Sequence, residues 1–258
     1  MNVREVIRYR ELLFFLVWRD VKIRYKQTIL GAAWAVLQPL LTMIVFTVFF
    51  GRLTKVPSDG IPYPVFSYAA LLPWTFFAAA ITNAGNSLIA NTDLLTKVYF
   101  PREILPISTV LAGLVDLGIA SLLLFALLPI YGITPDWGIV MLPVAIALLV
   151  VLAVGLGMFL EAINVSYRDV KYALPFTVQL LLFITPVIYP TTVVPERFRS
   201  LMFLNPLSGI IETCRSALLP DRPIQWGQLG VSALVTAVVF VLGARYFHAT
   251  ERRFADII

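Results

Sequence analysis

Few residues in this chain are able to do chemistry, and their types exclude most reactions. Cys214 is the single cysteine and His248 the single histidine. One of each cannot form a disulfide within the chain or assemble a zinc-type ligand set, so no metal site is expected. No Gly-x-x-x-x-Gly-Lys-Ser/Thr loop occurs, which leaves the chain without a phosphate cradle of its own. No paired carboxylates, Ser–His pair or Cys–His pair stands at a spacing suited to acid–base or nucleophilic catalysis. Two acids draw attention because Asp116 and Glu161 lie inside long apolar runs. An ionisable group in such a run is costly and usually meets a partner or a polar interior.

The elements that must position these acids are membrane spans. The 258-residue chain is 59% hydrophobic and only 14% charged, too few charges to clothe a water-soluble body of this size. Mean hydropathy is +0.86. Six stretches approach the roughly 20 residues needed to cross about 30 Å of hydrocarbon. They are Ala33–Leu53, Pro64–Ala84, Ile104–Tyr131, Ile139–Ile163, Tyr172–Tyr189 and Leu229–Phe247. Backbone groups in lipid must be satisfied within their own segment, so the expected fold is an all-α integral membrane protein with six transmembrane helices. Asp116 falls about 12 residues into the third stretch, about 18 Å deep at 1.5 Å per residue. A role in translocation, a structural hydrogen bond to a neighbouring helix, and an acid that keeps its proton are the three readings of it. Glu161 lies near the end of the fourth stretch and is expected to reach the interface.

Orientation follows from the basic residues. The flanks bearing Arg4, Arg8, Arg10, Arg19, Lys22, Arg24, Lys26, Lys97, Arg102, Arg168, Lys171, Arg245, Arg252 and Arg253 outweigh those bearing Arg52, Lys55, Arg197, Arg199, Arg215 and Arg222. The positive-inside bias then puts both termini in the cytoplasm. It also explains the net charge of +5 without nucleic acid, for which no basic–aromatic module is present. The charged N-terminus reads as having no cleavable signal peptide.

Three segments do not span. In residues 2–26, Val3, Val6, Ile7, Leu13, Phe14, Val17 and Val21 recur at helical spacing, with Arg4, Arg8 and Glu11 on another face. That pattern predicts an amphipathic helix on the cytoplasmic surface, or a plain basic anchor. Asn91-Thr92-Asp93 followed by Leu94 and Leu95 predicts a short cytoplasmic helix over 91–100, closed by Pro101. Residues 191–228 form the longest external connection. There Asn205-Pro206 reads as an N-cap with proline in the first turn, starting a helix whose Leu207, Ile210, Ile211, Cys214 and Leu218 share a face opposite Ser208, Glu212 and Arg215. With the short apolar stretch 198–204 it makes a pair of re-entrant helices, or a cap resting on the membrane.

Aromatic residues crowd the spans, among them Trp34, Phe46, Phe49, Phe76, Phe176, Phe183 and Tyr189. Most suit interface belts and packing. A path for sugars would also use them, because the C–H face of a pyranose stacks on a ring.

Four ordered strings carry a family resemblance. They are Arg19-Asp20-Val21-Lys22-Ile23-Arg24-Tyr25-Lys26 with Leu30-Gly31, Trp34 and Gln38-Pro39-Leu40; Lys97-Val98-Tyr99-Phe100-Pro101-Arg102-Glu103-Ile104-Leu105-Pro106; Tyr167-Arg168-Asp169 with Thr185-Pro186-Val187-Ile188-Tyr189; and Asn205-Pro206 with Glu212 and Arg215. Together they resemble the polysaccharide-export branch of the ABC type-2 permeases, which exports O-antigen, capsule and teichoic acid chains. The resemblance implies one transmembrane domain over residues 1–258: an interface helix in 1–30, spans one to five in 31–190, gate helices in 191–228, span six in 229–247 and a cytoplasmic tail in 248–258. It implies a homodimeric pore in the bacterial inner membrane, with two separate ABC ATPase subunits beneath it. ATP and Mg would bind there and no cofactor on this chain. A lipid-linked glycan, O-antigen above the others, would be threaded outward. Arg19, Asp20, Lys22, Arg24, Asn91, Asp93, Leu94, Lys97, Tyr99, Arg102 and Glu103 would face the ATPase. Asp116, Trp34, Phe46, Phe183 and Tyr189 would belong to the channel, and Asn205, Pro206, Glu212 and Arg215 to the external gate. Alternatives are export of another glycan or a small amphiphile, an ion-coupled carrier, and a membrane enzyme. The last two lack the clustered intramembrane ligands they need.

Overall fold

The computed structural model describes residues 3–26, 31–167, 169–220 and 222–257. Leu30 and Arg168 of the family strings lie outside them, as do the side chains of Arg4, Arg252 and Arg253. Every regular element among the described residues is helical: α1 (Val3–Arg8), α2 (Arg10–Tyr25), α3 (Ala33–Phe46, continued by a π-helical turn Thr47–Leu53), α4 (Tyr63–Ala84), α5 (Ser87–Ala90), α6 (Thr92–Lys97), α7 (Ile104–Ile130), α8 (Leu142–Ser166, entered through a 3-10 turn Trp137–Met141), α9 (Val170–Ile184), α10 (Glu196–Phe203), α11 (Pro206–Leu218) and α12 (Trp226–Ile257).

Five helical segments among the described residues are long and apolar enough to cross a membrane: Ala33–Leu53, Tyr63–Ala84, Ile104–Ile130, Trp137–Ser166 and Trp226–Glu251. They fall on five of the six expected stretches. The other, expected over 172–189, is a helix of 15 residues, Val170–Ile184. At 1.5 Å per residue it rises about 22 Å, short of the hydrocarbon thickness. Its end has a local cause. Pro186 bars the helical conformation for the residue before it, and Thr185 is extended with φ −89° and ψ 140°.

The core is built on α4, α7 and α8, with α12 packed along α8. The α4 helix is buried on nearly all sides, as expected of a helix apolar all round. α8 and α12 cross closely because glycines occupy the contact. A Cβ on Gly155 would stand 2.6 Å from Phe240 Cα. A Cβ on Gly157 would stand 2.7 Å from Ala84 Cβ, so the opposite face of α8 closes on α4. Small residues here let backbones approach where lipid supplies no hydrophobic drive between helices.

The N-terminal region departs from its expected form. It is two helices with a break at Tyr9, and α2 packs along α7 rather than lying alone on a surface. Its inward stripe is Tyr9, Leu12, Leu13 and Leu16. Phe14, expected on the apolar face, is 72% exposed. The apolar residues of α2 run around most of its circumference, so periodicity alone set the wrong phase.

The segment 191–228 also differs from a resting cap. α11 is buried at every position from Leu207 to Leu218, inserted among α4, α8 and α12. The expected polar face of Ser208, Glu212 and Arg215 is as buried as the apolar one. The Asn205-Pro206 reading holds: Asn205 Oδ1 accepts from Leu207 N at 3.1 Å, with Pro206 in the first turn.

Candidate functional site

Three polar clusters interrupt this apolar body. The first joins α2 to α7. The Arg24 guanidinium and the Tyr25 hydroxyl both bond the carboxylate of Asp116. Burial pushes the Tyr25 phenol above its ordinary value, against the opposing charge of Arg24, so Tyr25 donates. Asp116 is thus an ion-paired anchor for the end of α2. The pair lines a half-open cavity of about 220 Å³ with Trp34, Gln38, Thr75 and Phe76. Neighbouring Arg19 and Asp20 pair with each other at 2.8 Å, while Lys22 is exposed.

The second cluster surrounds α5 and α6. The short helix expected over 91–100 ends at Lys97, and residues 98–100 are non-helical. Asn91 precedes it without capping it through its side chain; Nδ2 instead donates to Ser87 O at 2.8 Å. Leu94 packs against the core, whereas Tyr99 is 94% exposed. Glu103 turns inward. It is buried, with Oε2 3.3 Å from His248 Nε2, and Arg102 Nη1 donates to Glu251 O at 2.7 Å. Burial raises the Glu103 carboxyl above its ordinary value, with His248 opposing. These residues edge a groove of about 1010 Å³ that also includes Arg8, Tyr9, Lys97 and Tyr99.

Glu161 corrects its expectation. It does not reach an interface; it is 1% exposed and accepts from Ser87 Oγ and, at 2.6 Å, from Leu88 N. Asn164 Nδ2, one turn on, donates to Gly85 O at 2.8 Å and Asn86 Oδ1 at 3.0 Å.

The third cluster lies at the other end of α8, around α11. Arg215 is fully buried. Its guanidinium donates to Pro186 O and Val187 O, both at 2.6 Å, and more weakly to Tyr189 O at 3.5 Å. Tyr63 Oη donates to Ile188 O at 2.8 Å. Side chains from α11 and α4 therefore satisfy the unwound carbonyls after α9, which a membrane interior requires. The Arg215 guanidinium also lies 3.8 Å from the Phe66 ring centroid. Glu212 stands 3.6 Å from Arg215 and 3.0 Å from Arg222, which in turn bonds Asp59. Asn205 Nδ2 reaches Thr185 Oγ1 at 2.9 Å, tying the start of α11 to the same turn. Tyr189 Oη donates to Phe183 O at 3.0 Å.

The expected channel residues are gathered only in pairs: Asp116 with Trp34 around the cavity beside α2, and Tyr189 with Phe183 at the end of α9. Trp34 and Phe183 are about half exposed on α3 and α9, and Phe46 packs edge-on against Phe50 at 5.5 Å. Sequence reasoning missed the roles of Glu161, Asn164, Ser87, Asp59, Arg222 and His248. The one available signal was polarity inside or beside apolar runs, and it did not specify partners.

The chain matches the family model described as ABC-2 type transporter over residues 11–219. It is 34% identical to the O-antigen export system permease protein RfbA of Myxococcus xanthus, across 99% of this chain and 98% of that one. It is 28% identical to an RfbA permease of Klebsiella pneumoniae over 96% and 95% of the two chains. It is 24% identical to the polysialic acid transport protein KpsM of Escherichia coli over 92% of each. With five helices of spanning length, an inserted α11 and a matched family model over most of its length, the chain belongs to the ABC-2 type transporter membrane family.

Proposed function

We propose that this chain is the permease subunit of an ATP-driven exporter that moves a lipid-linked polysaccharide, O-antigen in kind, out of the cytoplasm. The observation that carries this is the end-to-end similarity to an O-antigen export permease, 34% identical over 99% of the chain. ATP and Mg belong to a separate ATPase, since no phosphate loop exists here. The exposed Lys22, Lys97 and Tyr99, with the groove beside α6, form the docking face for that ATPase. Both termini then lie in the cytoplasm of a bacterium and the chain crosses its inner membrane six times, the remaining crossing made by α9 together with the non-helical stretch 185–189 that lengthens it, with residues 1–258 acting as one transmembrane domain.

A second copy completes the pore. α3 and the shorter α9 are the least enclosed of the apolar helices, and α9 exposes Tyr172, Phe176, Leu180 and Phe183 along one face. In a homodimer these helices meet their counterparts around the path, which gives Trp34, Phe46, Phe183 and Tyr189 a glycan to stack on. Two ATPase subunits sit below. α11 with Asn205, Pro206, Glu212 and Arg215 gates the far end, and the buried cluster around Arg215 holds that gate to the end of α9.

The test is reconstitution with its cognate ATPase subunit. The complex should hydrolyse ATP and carry lipid-linked glycan across proteoliposomes, and cells lacking the gene should accumulate glycan inside. A chain that binds no ATPase subunit, or a deletion that traps no glycan, refutes the proposal.

A further inference from the structure

The bend from α4 into α6 is short: α4 ends at Ala84, α5 has four residues, and α6 begins at Thr92. Nothing in so short a segment fixes its own orientation, since isolated helices of this length are unstable. Beside packing on α7, its polar groups are held by one face of α8. Gly157 meets Ala84, Glu161 takes the Ser87 hydroxyl and the Leu88 amide, and Asn164 takes Gly85 O and Asn86 Oδ1. These three positions follow at intervals of four and three, so they stack along one stripe. Glu161, Asn164 and Ser87 are all at most 3% exposed. One Glu161 oxygen, Oε2, has no hydrogen-bond partner among the described residues, so the acid is a costly choice for mere filling.

The other end of α8 abuts α11. Its entry turn packs on α11, with a Cβ on Gly138 placed 3.1 Å from Ser216 O. Between the two ends α8 is locked to α12 through Gly155 and Phe240. A rigid element thus runs from α5 to α11, the helix read above as the gate.

Building on the function proposed above, we infer that Glu161 and Asn164 are positioning residues that make α5–α6 and α8 one lever, through which a displacement of α6 by the ATPase reaches α11. Breaking the clamp separates hydrolysis from transport, because α6 then moves without carrying α8. Glu161→Gln keeps an acceptor for Ser87 and Leu88 and preserves volume. Glu161→Ala removes both bonds, and Asn164→Ala removes the two on the neighbouring turn.

The experiment measures glycan moved per ATP hydrolysed by the full complex in proteoliposomes, together with the melting temperature of each variant. Glu161→Ala and Asn164→Ala should lower the ratio by about tenfold while hydrolysis persists, the order expected from losing hydrogen bonds worth about 1.4 kcal/mol. Glu161→Gln should hold the ratio near wild type. If transport and hydrolysis fall in proportion, the cluster is only structural and the inference fails. It fails equally if both alanine variants keep the wild-type ratio. Should Glu161→Ala not assemble, Ser87→Ala and Asn164→Ala are judged by the same ratio. A wild-type complex that moves no glycan overturns the proposed function instead.

Discussion

Replacing Arg215 by methionine removes the clasp between α11 and the end of α9, and the structure fixes what is lost. Two guanidinium bonds of 2.6 Å vanish, to Pro186 O and Val187 O. Each leaves a buried carbonyl unpaired at about 1–3 kcal/mol. The stacking on Phe66 at 3.8 Å adds about 0.5–2 kcal/mol. Glu212 is not orphaned, because Arg222 holds it at 3.0 Å, so the full penalty of a broken buried ion pair does not apply. Methionine refills part of the aliphatic volume. The expected cost is about 3–6 kcal/mol, comparable to the whole stability of many domains. Lysine should recover only part, since a point charge cannot fork to two carbonyls and lie flat on a ring. Thermal unfolding in lipid nanodiscs reads the global loss, and hydrogen exchange reads the local one at 185–189 and the first turn of α11. A methionine variant that unfolds within about 1 kcal/mol of wild type with unchanged exchange there would refute the reasoning.

Other perturbations test the remaining clusters. Asp116→Asn should loosen the end of α2 at a cost of about 1–3 kcal/mol, because Asp116 sits on a spanning helix and Arg24 would keep only a neutral acceptor. The reversed pair Arg24→Asp with Asp116→Arg should recover transport that either single change loses; no recovery would mean that Asp116 acts on the substrate rather than on Arg24. Glu103 has a raised folded pKa from burial, which makes its stabilising share fullest below the ordinary carboxyl value of 4.5 and lost as pH rises through the folded value. Glu103→Gln should therefore flatten the fall in melting temperature that begins as pH rises above 4.5, with Glu5, Glu251 and His248 nearby unchanged; a profile identical to wild type sinks that assignment. Gly155→Ala drives a methyl toward Phe240 backbone and should destabilise by about 1–3 kcal/mol, measured by thermal unfolding.

Asn205 and Pro206 show what is legible locally. A cap acts through its own neighbours, so the Leu207 amide was foreseeable from two letters. Span limits were legible for the same reason, since a run of apolar residues sets burial in lipid wherever the run is placed. The fifth stretch was overread because hydropathy continues through Thr185-Pro186-Val187-Ile188-Tyr189 while the helix does not. The phase of α2 was misread because its apolar residues leave several faces equally plausible, and only contact with α7 selects one.

The amino-acid sequence by itself determined that the chain is helical and membrane-embedded, and where α3, α4 and α7 begin and end. Partnership among buried polar groups was decided by the tertiary structure alone. Arg24 and Asp116 are 92 positions apart, Leu88 and Glu161 are 73, and Arg215 and Pro186 are 29. A buried charge or orphaned carbonyl must find a partner wherever the fold brings one, and no local spacing encodes which one that is.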